Sequence, residues 1–98
     1  MVERDIMKYV LLGSISPSWI GKQTERLKKS NEKLKQLGIK QEMVLYTQGQ
    51  YDFVEIIDAP GPETVLGFTI WYSRKGFGSI QTLPAFGDHE IRKIIKKG

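Results

Sequence analysis

The 98-residue sequence has no cysteine and a single histidine, His89. The first absence removes disulfides, thiolate nucleophiles and sulfur-ligated metal sites together, and it fits a reducing cytoplasm, the location expected here. The second leaves no pair of imidazoles for a metal, so no metal site is expected. Unbroken hydrophobicity is also scarce. Apolar stretches such as Tyr9 to Leu12 fall far short of the ~20 residues that cross a bilayer. The opening Met1-Val2-Glu3-Arg4-Asp5 is charged and no apolar h-region follows it, so neither a signal peptide nor a membrane partner is expected. No G-x-x-x-x-G-K-[ST], G-x-G-x-x-G or G-x-S-x-G occurs. Without a phosphate cradle or a nucleophile elbow, nucleotide chemistry and serine hydrolysis have no support, and no cofactor is expected.

What remains has the size and balance of one globular domain over residues 1–98. A chain this long buries roughly 60–65% of its unfolded surface. Its core is thin, and oligomerisation would add to it. The net charge is +4, too small to imply nucleic acid by itself. The first helix carries Lys22, Arg26, Lys28, Lys29, Lys33 and Lys35 against Glu25 and Glu32. They are spread around the helix, which reads as a solvated surface rather than a phosphate track.

Residues 7–14 are β-branched and aromatic at their centre and read as a strand. Ser16-Pro17 then suits a helix start, with Ser16 as cap and Pro17 in the first turn. Ile20, Leu27, Leu34 and Leu37 recur at helical spacing, which predicts one helix from Pro17 to Leu37 stopped by Gly38. Two further strands, 39–48 and 51–58, flank Gly49-Gln50, a link suited to a type II′ hairpin. That register pairs Gln48 with Tyr51, Tyr46 with Phe53 and Val44 with Glu55. A second helix is predicted from Pro62 to Lys75, closed by Gly76. A fourth strand follows over 77–86, with Pro84 arguing for a sheet edge. Asp88 caps a last short helix bearing Ile91, Ile94 and Ile95.

The order strand, helix, strand, strand, helix, strand is the split βαβ pattern. It predicts an α+β, ferredoxin-like βαββαβ domain with a four-stranded antiparallel sheet and a short C-terminal helix. Val10, Leu12, Leu45, Val54, Ile56 and Ile80 are expected to face the helices. Tyr9, Leu11, Val44, Tyr46, Tyr51, Phe53 and Leu83, with Glu55 and Gln81, are expected on the open face. An apolar face of that size calls for a partner. A homodimer packed sheet-to-sheet, a dimeric α/β-barrel-like assembly, is the simplest one.

Gly49-Gln50-Tyr51-Asp52 forms a G-x-Y-D turn ahead of the apolar run Phe53-Val54-Glu55-Ile56-Ile57. A helix and then Gly78-Ser79-Ile80-Gln81-Thr82-Leu83-Pro84-Ala85-Phe86 come after it. In this order the chain resembles the GYD domain family, whose members are largely without assigned function. The resemblance implies a ferredoxin-like oligomer and carries no catalytic residues. The turn is also similar to the G-x-x-D of the ligand-sensing domains of leucine-responsive regulatory proteins, which bind amino acids between subunits. Their helix-turn-helix is not found in this sequence. Lys75-Gly76-Phe77-Gly78 resembles the start of the RNP1 motif, but it falls at a helix end and lacks the later aromatics. Nucleic acid is therefore not expected as a partner.

The candidate ligand-binding residues are Tyr9, Tyr46, Tyr51, Asp52, Phe53, Glu55 and Gln81. Asp52 and Tyr51 could orient a ligand beside the turn, or Asp52 could simply bind local backbone N–H groups. Glu55, among aromatics, could have a raised pKa and accept a proton, or could meet a cation across a dimer. Two functions follow. One is an oligomeric small-molecule-binding or interaction domain, with ligand at the open face or the subunit interface. The other is a small cofactor-independent enzyme, for oxidation or isomerisation, using a cavity lined by aromatics and Glu55. A closed cavity holding Glu55 without a charged partner would favour the second.

Overall fold

The computed structural model describes residues 6–98. The elements run β1 (Met7–Ile15), α1 (Pro17–Ile20), α2 (Gln23–Gln36), β2 (Lys40–Tyr46), β3 (Phe53–Ala59), α3 (Pro62–Arg74), β4 (Gly78–Ala85) and α4 (Asp88–Lys97). The strands form one antiparallel sheet in the order β2-β3-β1-β4. The domain is thus α+β, with the predicted strand positions and Pro84 on the edge strand β4. Gly38 and Gly76 follow α2 and α3 at φ 72° and 77°, values at which a side chain would strain the backbone.

The predicted single helix over 17–37 is two helices. α1 ends at Gly21, and Lys22 leaves helical geometry at φ −118° and ψ 46°. The break frees the Trp19 carbonyl, which accepts from the Lys22 amide at 3.1 Å and from Arg26 Nη1 at 3.2 Å. Ser16 precedes α1 but its hydroxyl caps no backbone N–H. Gly87, not Asp88, is the cap residue of α4.

The β2–β3 register is as predicted, with Tyr46 opposite Phe53 and Val44 opposite Glu55, and a bulge at residues 41–43. The two-residue turn does not form. Residues 48–51 make a longer connection closed by Thr47 N–H donating to the Asp52 carbonyl at 2.9 Å. Asp52 explains the difference, because it is turned toward β1. Its amide donates to the Gly13 carbonyl at 2.7 Å, and its Oδ2 accepts from the Ile15 amide at 2.6 Å.

The sheet faces are the reverse of the expectation for most residues. Tyr9, Leu11, Phe53, Glu55 and Ile57 are buried under the helices, in a core with Leu34, Val65, Phe68, Tyr72 and Phe77. Val44 and Ile80 pack against that core. By the strand alternation, Val10, Leu12, Leu45, Val54 and Ile56 point to the open side, where Gln81 and Leu83 join them as expected. Within β1, β2 and β3 the expected groups share a face as predicted but on the opposite side. The expected faces of β4 are out of phase with those of β1, since Leu83 and Gln81 pair with Val10 and Leu12. The aromatic content of α3 decides which face meets the helices: Phe68 and Tyr72 need large partners, and Tyr9 and Phe53 supply them. Gly13 makes this packing possible, since the Phe53 ring occupies the space its Cβ would take.

Candidate functional site

Beneath α2 and α3, on the β2–β3 side of the sheet, lies a cavity of about 30 Å³. That is room for roughly two water-sized groups. α2 contributes Arg26, Ser30 and Leu34, one turn apart on the face turned to the sheet. α3 contributes Phe68 and Tyr72, again one turn apart. β2 and β3 contribute Gln41, Val44, Tyr46, Phe53 and Glu55. The exposed Asn31, Gln41 and Tyr46 stand at its mouth.

The polar groups here are buried and underused. Arg26 is 2% exposed and Glu55 5%, yet among the described residues neither has an ion-pair partner. Glu55 Oε2 accepts instead from neutral Gln41 Nε2 at 2.5 Å. Burial pushes the Glu55 carboxyl above the usual carboxylate range, and the Gln41 hydrogen bond only partly opposes this. The Ser30 and Tyr72 hydroxyls are buried with no hydrogen-bond partner. Burial pushes the Tyr72 phenol up to about 12, while the Arg26 guanidinium works the other way. Tyr72 is held by edge contacts to Phe53 and Phe77, with ring centroids 6.1 and 5.4 Å away. Its hydroxyl position is therefore set by packing.

Of the residues picked out from sequence, Tyr46, Phe53 and Glu55 meet in this cavity. Tyr9 is buried outside it, with its hydroxyl on Met7 Sδ at 3.8 Å. Asp52 serves the backbone of β1. Tyr51 and Gln81 meet on the opposite side of the sheet, where the phenol donates to Gln81 Oε1 at 2.5 Å. Arg26, Ser30 and Tyr72 were missed. Arg26 and Ser30 lie eight and four residues before Leu34, the surest core position of the helix, so the 3.6-residue period already put them on its buried face.

The open side carries two apolar rows across the sheet. One is Met43, Ile56, Val10 and Leu83, and the other Leu45, Val54 and Leu12 with Gln81 at its end. Met43 and Leu45 are 48% and 55% exposed. An ionic cluster bounds them, in which Lys8 pairs with Glu42 and with Asp58. Phe77, the aromatic of the RNP1-like stretch, is 1% exposed and packs on Trp19, Trp71 and Tyr72, so it cannot stack on a base. His89 is exposed on α4. No cluster of His, Cys, Asp and Glu among the described residues could hold a metal ion, and no helix is long and apolar enough to cross a membrane.

The GYD domain model matches residues 9–95, from β1 through α4. This chain belongs to the GYD domain family. No curated protein and no solved structure matches it. Within this GYD domain the Gly49–Asp52 turn has a plain structural role. Asp52 ties the β2–β3 connection to the central strand and so positions Phe53 at the start of β3, on the wall of the cavity.

Proposed function

We propose that this GYD domain is an oligomeric small-molecule-binding protein whose ligand enters the cavity beneath α2 and α3. The observation that carries this reading is the set of buried, underused polar groups around one small space: Arg26, Glu55, Ser30 and Tyr72. Buried polar groups are normally satisfied, and exceptions gather where something else is to bind. The ligand is thus assigned to the helix side of the sheet, not to the open face. The open face is assigned to a second copy of the chain. Its apolar rows support a sheet-to-sheet homodimer, the dimeric α/β-barrel-like assembly, because a two-fold axis lets one patch cover itself. The cysteine-free sequence supports a cytoplasmic setting.

A catalytic reading has one observation in its favour. Glu55 sits in an aromatic-walled cavity with no ion-pair partner among the described residues and a raised pKa, the condition of a carboxylate that takes a proton more readily than an exposed one. Native mass spectrometry of freshly purified protein, followed by denaturing analysis of anything released, tests the proposal. A dimer carrying a small molecule is expected. A clean, empty monomer at micromolar concentration would contradict both the interface and the ligand. A released molecule with an acidic C–H or an oxidisable ring would move the case toward catalysis.

A further inference from the structure

Arg26 sets the chemistry of the cavity. A guanidinium offers five N–H donors in a planar fork, and here Nη1 donates to the Trp19 carbonyl at 3.2 Å. The other cations differ. Lys8 has Glu42 and Asp58, Lys29 has Glu25, and Arg92 has Asp88. Lys22 and Lys29 also lie over the ring of Trp19, and Lys33 over that of Trp71. Arg26 alone is both buried and without an anion among these cations, a state that desolvation makes costly.

Two hydroxyls share its surroundings. Ser30 lies one turn further along α2, and Tyr72 comes from α3; both hydroxyls are buried, line the same cavity and donate to nothing. One guanidinium-bearing and two hydroxyl-bearing side chains therefore line a single space of about 30 Å³. That space admits a carboxylate-sized group and little more. The walls beside it are Phe53 and Phe68, and the mouth at Tyr46 leads to solvent. An occupant with an anionic head and an apolar body fits both parts.

We propose that the cavity binds a small carboxylic acid, its carboxylate paired with Arg26 and accepting from the Ser30 and Tyr72 hydroxyls. This rests on the reading of the cavity as a ligand site and adds the ligand's class. The small volume and the apolar walls favour a carboxylate over a phosphate. Glu55 lines the same cavity, with its Oε2 accepting from Gln41 Nε2. Arg26, Tyr46 and Tyr72 are the other titratable groups lining the cavity.

The test titrates the full chain with acetate, butyrate, benzoate and phenylacetate, each beside its primary amide, and with inorganic phosphate, following backbone amide shifts by NMR. The acids bind and their amides bind at least about tenfold more weakly, the range set by one charge-assisted hydrogen bond. Arg26→Met weakens acid binding by about 10- to 100-fold. It weakens amide binding less, and it holds or raises the thermal midpoint, because an unpaired buried charge is gone. Should Arg26→Met not fold, Ser30→Ala and Tyr72→Phe carry the test, each weakening the acid more than the amide. Acids and amides binding alike would overturn the anionic head group while leaving the ligand site standing. Phosphate binding more tightly than every acid would overturn the carboxylate assignment. No binding by any probe would overturn this proposal and the ligand-site reading together.

Discussion

Gly13→Ala is the sharpest single perturbation of this fold. Gly13 lies on the central strand β1 opposite Phe53 of β3. An added Cβ would lie 2.0 Å from Phe53 Cζ, 2.1 Å from Cε2 and 2.5 Å from Cε1. Carbon atoms in contact sit about 3.5–4.0 Å apart, so the ring must retreat by roughly 1.5 Å. It has little room, being 5% exposed and packed edgewise on Tyr72. Overpacking of this kind costs about 1–3 kcal/mol. In a domain of this size that lowers the thermal midpoint by roughly 5–20 °C. The assay is thermal and urea unfolding by circular dichroism at fixed protein concentration, since an oligomer's midpoint moves with concentration. Phe53→Leu removes the ring edge and by itself costs on the order of 1 kcal/mol or more. In the double variant the new methyl fills part of the vacated space, so the two costs fall short of their sum by about 1 kcal/mol or more. A Gly13→Ala variant within about 0.5 kcal/mol of the parent, or strictly additive costs in the double variant, would refute the packing described for Phe53.

Three other outcomes follow from the same geometry. Glu55 has a raised folded-state pKa, so its contribution to stability is fully present below the unfolded value and is lost as pH rises through the folded one. Glu55→Gln therefore unfolds at a higher temperature than the parent at neutral pH. The gap closes toward pH 4, and a pH-independent gap would contradict the burial of an unpaired carboxyl. Asp52→Ala removes the acceptor of the Ile15 amide and costs about 1–2 kcal/mol. Hydrogen exchange should show Ile15 losing protection while Asp52→Asn retains part of it, and equal protection in all three proteins would remove the clamp. Ile56→Lys puts a charge in the middle of the open face and should convert a dimer to a monomer in sedimentation velocity. An intact dimer would place the interface elsewhere.

Much of this architecture was legible in the sequence. Pro17, Pro62, Gly38 and Gly76 mark where helices begin and end, and the Tyr46–Phe53 register followed from alternation and a short connection. The helix break at Gly21 was not legible, because Ile20 continues the apolar period of Leu27 and Leu34 although it is 58% exposed. The sheet faces were inverted for a related reason. Both sets of alternating residues in β1 and β3 are mainly apolar, and each carries charge, Glu55 in one and Lys8 and Asp58 in the other. Hydropathy therefore does not rank them, and the choice rests on how α3 packs. That one inversion moved Glu55 and Phe53 from an open surface into a cavity. Arg26 was hidden by its company, a basic side chain among lysines on a charged helix. Only its spacing from Leu34 distinguishes it.

The central claim is that the cavity beneath α2 and α3, and not the open sheet face, receives the ligand. Mapping of backbone and side-chain chemical shifts during titration with a fragment collection tests it most directly. Perturbations concentrated at Arg26, Ser30, Tyr46, Glu55 and Tyr72 are the expected result. Perturbations concentrated at Leu12, Leu45, Val54 and Gln81, with the cavity residues unmoved, would contradict it.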